Sequence, residues 1–205
     1  MPPEFNIERP KQVIVEGVDD VRVMESLCNH LGIDDIQLVP CGGYNSLRQF
    51  LRTFSADPDF RQVRSLAVIV DADENPQGRR QGVADALASA GLPRPEQLLK
   101  PISDSGLTVA YLIVPHDPPG TMMEDVCLNS VADDPVMECV EQYLECVDLA
   151  NAHSPRQVWM SKARVHVFLA SQDRPDLRLG EAAERGIWKF ESEAFRPLSD
   201  LLRML

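Results

Sequence analysis

Leu66-Ala67-Val68-Ile69-Val70 is an unbroken apolar run that ends on Asp71-Ala72-Asp73. A run without polar alternation suits a strand covered on both faces, as in a parallel sheet between two layers of helices. The flanking sequence supplies such helices. Residues 12–16 form a first strand, followed by a helix with Val21, Met24, Leu27, Cys28 and Leu31 on one face and Gly32 at its end. Ile36–Val39 is a second strand, and Asn45 or Ser46 opens a helix with the stripe Leu47, Phe50, Leu51 and Phe54. After the 66–70 strand, the pattern predicts a helix over 76–90, with Val83, Ala84 and Leu87 inward and Gly91 at its end. A fourth strand spans Leu107–Val114. Strand–helix alternation of this kind implies an α/β fold with a mostly parallel sheet and right-handed crossovers.

Past the loop 115–121 the pattern is helical. Asp134-Pro135 starts one helix with Val136, Val140, Tyr143, Leu144 and Val147 on one side, and Ser154-Pro155 starts another that runs to about Ser171. A short helix, an aromatic turn and an amphipathic helix fill 180–205. The expected organisation is an α/β core over 1–130 and a helical part over 131–205, packed on it as one compact domain.

The five cysteines, Cys28, Cys41, Cys127, Cys139 and Cys146, form no Cys-x-x-Cys pair, which argues against a disulfide framework or a structural zinc site. Cys28, Cys139 and Cys146 lie in helical patterns and are expected to be buried thiols. No apolar run is long enough to span a membrane, and the N-terminal residues lack signal-peptide character, so a cytoplasmic location is expected. The formal net charge is −12, from 32 acidic and 20 basic residues, which opposes nonspecific adhesion to nucleic acid.

In open α/β sheets, ligands bind beyond the carboxyl ends of the strands. Acidic residues gather there: Glu16 with Asp20 after the first strand, Asp71 and Asp73 after the third, and Glu124-Asp125 beyond the fourth. Residues two apart can point toward the same side, so Asp71 and Asp73 can converge on one ion. Carboxylate oxygens are the ligands that Mg²⁺ and Mn²⁺ prefer, and a cation would relieve their repulsion. Asp19 or Asp20 can instead cap a helix, the preferred reading for Asp19, and Asp71 or Asp73 can cap the turn that follows.

Val13-Ile14-Val15-Glu16-Gly17-Val18-Asp19-Asp20 resembles the first Toprim motif, and Val68-Ile69-Val70-Asp71-Ala72-Asp73 the second, the Asp-x-Asp. The chain looks closest to the small stand-alone Toprim-like proteins of the DUF3226 type, related to the Toprim domain of OLD (overcoming lysogenization defect) nucleases. A weaker similarity continues through Met122–Asp125, Lys162–Val165 and Gly180–Trp188. The resemblance implies that Glu16 is a metal ligand or general acid/base, that Asp20, Asp71 and Asp73 are metal ligands, and that Glu124 completes a second metal position. It also implies that Lys162 stabilises charge on a phosphate. These 205 residues hold no ATPase domain, so an OLD-like ATPase partner would be a separate chain. The topoisomerase tyrosine arrangement and the primase zinc domain are absent.

Lesser candidates are ambiguous from sequence. Gly42-Gly43 can cradle a phosphate or make a tight turn. Arg79-Arg80 can meet phosphates or form a surface pair. His30, His116, His153 and His166 are assigned to no metal. Trp159, Phe168, Trp188, Phe190 and Phe195 suggest packing on the core or on another chain, with basic residues too sparse nearby to favour base stacking. The leading expectation is Mg²⁺- or Mn²⁺-dependent phosphodiester hydrolysis of DNA or RNA. The alternatives are a non-catalytic Toprim-like module that partners an ATPase, and another metal-dependent phosphotransfer enzyme. An oligomer is compatible with either.

Overall fold

The computed structural model describes residues 5–116, 120–150 and 157–205. The protein is a mixed α/β structure with a five-stranded, mostly parallel sheet flanked by helices. The elements are β1 (Lys11–Val15), α1 (Val18–Leu31), β2 (Ile36–Pro40), α2 (Leu47–Ser55), β3 (Ser65–Asp71), α3 (Pro76–Ser89), β4 (Ile102–Asp104) and β5 (Leu107–Val114), followed by α4 (Met123–Ser130), α5 (Val136–Ala150), α6 (Gln157–Ala170), α7 (Leu179–Glu184) and α8 (Arg196–Met204). The strand order is β2-β1-β3-β5-β4. All neighbours run parallel except β4, which pairs antiparallel with β5.

Both faces of the sheet are buried, as the continuous apolar strands require. Val13, Val15, Ala67, Ile69, Ala110 and Leu112 face a core completed by α1, α4, α6, α7 and α8, including Met24, Phe168, Trp188 and Leu201. Ile14, Leu66, Val68, Val70, Val109 and Ile113 face a second core, with Phe50, Leu51 and Phe54 from α2 and Val83 and Leu87 from α3. Successive strand residues thus alternate between two dry layers. Gly32 ends α1 in the left-handed region, at φ 68°, and its backbone N–H turns back to Asn29 and Cys28.

Several expectations change. The strand expected as the fourth is the fifth, because the three-residue edge strand β4 precedes it. All three β4 residues are exposed, so no burial pattern marks it. Gly17, not Asp19, occupies the cap position of α1, and the side chain that satisfies the cap is that of Asp20. Cys28 is buried, but Cys139 and Cys146 are exposed on α5, as is Tyr143, because that helix turns another face, with Val140 and Leu144 buried and Val136 and Met137 partly buried, to the core. The start of α6 at Ser154-Pro155, part of the 115–121 loop, and His153 lie outside the described residues. Among the described residues, no helix is long and apolar enough to cross a membrane.

Helix α7 approaches α1 closely at Gly180. A Cβ there would lie 2.7 Å from Arg22 Cβ and 3.1 Å from the Asp19 carbonyl oxygen. Gly→Ala in an open helix gains about 1 kcal/mol; here the added methyl meets a side-chain stem and a backbone oxygen. Gly180→Ala is therefore expected to destabilise the protein by about 1–3 kcal/mol, as overpacking does. The urea midpoint checks the sign, and an increase would show that the two helices can separate at no cost.

Candidate functional site: an acidic rim at the β1/β3 switch point

The order β2-β1-β3 means that the chain leaves β1 in one direction along the sheet and returns to place β3 on the other side. Strand-end crevices open at such switch points. Glu16 follows β1 directly, and Asp71 is the last residue of β3. Glu16 Oε1 accepts the Asp71 N–H at 2.9 Å, and Oε2 accepts the Tyr44 N–H at 3.0 Å. Its carboxylate therefore bridges the end of β3 and the turn after β2. The Glu16 carbonyl accepts the N–H groups of Gly42 and Gly43 at 3.1 and 2.9 Å. Those donors serve a tight turn, with φ of 81° and 91°, rather than a phosphate cradle.

Asp20 and Glu124 face the same rim. Asp20 Oδ2 accepts the Gly17 N–H at 2.8 Å. Burial, and then the neighbouring charges of Glu124, Glu16 and Asp19, outweigh that bond and raise its pKa to about 6. Asp71 Oδ1 accepts the Met123 N–H at 3.0 Å, which ties β3 to the start of α4. Burial first, then the charges of Asp20, Glu16 and Glu124, hold the Asp71 carboxyl well above the usual carboxylate range. The Glu124 carboxyl is raised as well, mainly by burial, while Lys162 pulls it down.

Lys162 on α6 places its Nζ 4.0 Å from Glu124 Oε1. More than half of its side chain is exposed, so the pair contributes only about 0–1 kcal/mol to stability. Asp19, Glu124, Lys162, His166 and Arg178 line a cleft of 260 Å³. Asp125, next to Glu124, turns elsewhere: its Oδ2 accepts the N–H groups of Thr121 at 2.6 Å and Met122 at 3.2 Å, capping α4.

Glu16, Asp20, Asp71, Glu124 and Lys162 are thus drawn to one rim from five separate elements or turns. Asp73 is not drawn in with them. It sits at φ 47°, outside the strand conformation, and its carboxylate engages the Arg79 guanidinium. Arg79 in turn stacks 3.6 Å from the centre of the Tyr44 ring. The role of Tyr44, whose backbone helps to hold Glu16, carries no sequence signal, since a backbone donor leaves no trace in residue type.

Four carboxylates are hard oxygen donors suited to Mg²⁺ or Mn²⁺, and their mutual repulsion is the electrostatic state that a divalent cation relieves. As the side chains stand, no three His, Cys, Asp or Glu among the described residues are grouped to hold a metal ion. Enclosing a cation therefore requires side-chain rotation at the rim.

Fold and rim together define a doubly covered, mostly parallel α/β protein with an acidic crevice at its switch point. The chain belongs to the family described as Protein of unknown function (DUF3226), whose profile matches residues 10–205. It is similar in structure to hypothetical protein PH0156 from Pyrococcus horikoshii OT3, with 16% identity, 96% of this chain and 95% of that chain covered, and a TM-score of 0.65. It is also similar to the C-terminal region of the Xanthomonas campestris pv. campestris OLD protein, with 12% identity, 97% and 96% covered, and a TM-score of 0.50. At such identities the likeness concerns the fold. No curated protein matches the sequence.

Proposed function

We propose that this protein is a Toprim-type phosphodiesterase that cleaves DNA or RNA with Mg²⁺ or Mn²⁺ at the acidic rim. The observation that carries the reading is the convergence of Glu16, Asp20, Asp71 and Glu124 at the β1/β3 switch point, with Lys162 across from Glu124. The Toprim resemblance of the segments bearing Glu16 and Asp71 supports it.

In this reading Glu16, Asp20, Asp71 and Glu124 hold the cation. Asp73 joins them only by leaving Arg79. A divalent ion bound there supplies Lewis acidity toward a phosphodiester. The remaining work falls to the chain. The two backbone donors on Glu16 fix its carboxylate before substrate arrives, and Lys162, more than half exposed, meets the negative charge of the phosphate.

A second reading is a non-catalytic Toprim-like module that docks a separate ATPase chain. It is favoured by the exposed stripe Cys139, Tyr143 and Cys146 on one face of α5, at i, i+4 and i+7. Nicking of plasmid and cleavage of single strands, with Mg²⁺, Mn²⁺ or chelator, decides between the two. Weak metal-dependent cleavage is expected, lost in Glu16→Gln. Cleavage that persists in chelator would refute the rim as its source. Tight Mn²⁺ binding without cleavage would favour the docking module.

A further inference from the structure

A chain of net charge −12 that handles a polyanion needs a local means of gripping it. Two clefts beside α3 supply one. The first, of 550 Å³, is lined by Tyr44, Arg79 and Trp159 and by the carboxylates Asp73 and Glu74, among others. The second, of 770 Å³, lies between α3 and the segment before β4, and is lined by Gln77, Arg80, Gln81 and Arg94 together with the single carboxylate Glu96. Asn75 and Gly78 line both, so the two clefts adjoin at the first turn of α3.

We propose that these two adjoining clefts form a groove that binds a single strand of nucleic acid, with Arg80 and Arg94 contacting phosphates and Trp159 stacking on a base. The proposal rests on the reading of the rim as a site for a nucleic-acid phosphodiester, and identifies how the strand is held beside it.

The three side chains differ from their neighbours in ways that suit these roles. Arg79 is committed to Asp73 and to the Tyr44 ring. The side chains of Arg80 and Arg94 form no hydrogen bond or ion pair with any described residue, so their guanidinium groups are available to an anion. Phe168, Trp188 and Phe195 are buried, whereas Trp159 is 61% exposed at the edge of a polar cleft. An aromatic ring held at a groove wall is a stacking platform for any base. Trp159 and Lys162 are three residues apart on α6, on neighbouring turns of one helix face. A base on Trp159 would therefore lie next to the lysine that meets Glu124 at the rim. Asp73, in the wall of the first cleft, lies two residues beyond Asp71. Gln77 and Gln81 add uncharged donors and acceptors along the path.

The test is fluorescence anisotropy of labelled single-stranded DNA and RNA oligonucleotides with the full chain, in chelator so that binding is read without cleavage. Arg80→Ala/Arg94→Ala should weaken binding at least ten-fold and reduce the salt slope by about 1.4, two phosphate contacts at about 0.7 each. Trp159→Ala should weaken it about ten-fold, and Trp159→Phe should restore most of that loss. Oligonucleotide should quench the emission of Trp159, while the buried Trp188 stays unaffected. Arg174→Ala/Arg203→Ala removes equal charge elsewhere and should leave binding unchanged. Equal losses in both double variants, unchanged binding in the groove variants, or no binding by the wild type would overturn the groove. The groove variants can lose binding even if the rim proves inactive in nicking, so the two failures are separable.

Discussion

Asp71→Asn is expected to raise the melting temperature of the metal-free protein at neutral pH while weakening its hold on Mn²⁺. Asp71 is a buried carboxyl surrounded by Asp20, Glu16 and Glu124, and its pKa is raised well above 3.8. A raised folded-state value means that its contribution to stability is fully present below the unfolded pKa. That contribution is lost as pH climbs from about 4 through the folded value. At neutral pH the wild type carries this cost, whereas asparagine, uncharged and of similar shape, avoids it. Its amide oxygen can still accept the Met123 N–H. The gain should be about 1–3 kcal/mol, or roughly 2–4 °C per kcal/mol for a chain of this size. It should vanish as the pH is lowered below about 4, where the Asp71 carboxyl is protonated in the folded and the unfolded chain alike. With Mn²⁺ at a thousandfold excess over the wild-type Kd the order reverses, because binding then stabilises the wild type by about 4.1 kcal/mol. Thermal melts across pH, with chelator or Mn²⁺, read both effects. A lower melting temperature in chelator at neutral pH would show that Asp71 is a structural carboxylate and not a strained one.

Glu16→Gln should act in the opposite sense on stability and should also remove activity. Each Glu16 oxygen accepts a backbone N–H, from Asp71 and from Tyr44. Glutamine offers one oxygen, so one N–H would face an amide NH₂ group. An unsatisfied donor of that kind costs about 1–3 kcal/mol. Cleavage is expected to fall by about 10²–10⁴-fold, the scale of a lost acid–base or ligating group. Circular dichroism separates the two effects: the variant should keep its fold at low temperature and melt earlier. A variant with wild-type cleavage would move the chemistry away from the rim.

The sequence made the sheet legible where burial is two-sided. The apolar runs at 13–15, 66–70 and 109–114 lie in strands and are uninterrupted by polar residues, and the helical stripes of α1, α2 and α3 match their buried faces. Where one side is open, the pattern fails. Edge strand β4 buries nothing, and α5 has so narrow an inner face that Cys139, Tyr143 and Cys146 are left outside. The rim was legible to the extent that strand ends carry it, through Glu16 and Asp71. Asp73 departs because the argument from two-residue spacing assumes an extended chain, and its φ of 47° breaks that extension. The nearness of Lys162 to Glu124, and of Trp159 to Arg79, depends on how α6 packs, which no local pattern encodes. For the same reason, Arg79, 80 residues away from Trp159 in sequence, lines the same cleft.

The chain carries two acidic doublets beside the rim, Asp19-Asp20 and Glu124-Asp125, and in the second the labour is divided. Asp125 binds the N–H groups that open α4, and in doing so sets the rotational phase of that helix, which presents Glu124 toward Lys162. The doublet is therefore ordered, not merely acidic. A sequence isomer with the two residues exchanged would have identical composition and charge. It would put the longer side chain where a short one closes the turn, and the shorter one where reach is needed. Net acidity counts both carboxylates equally; the helix start lets only one of them face the crevice.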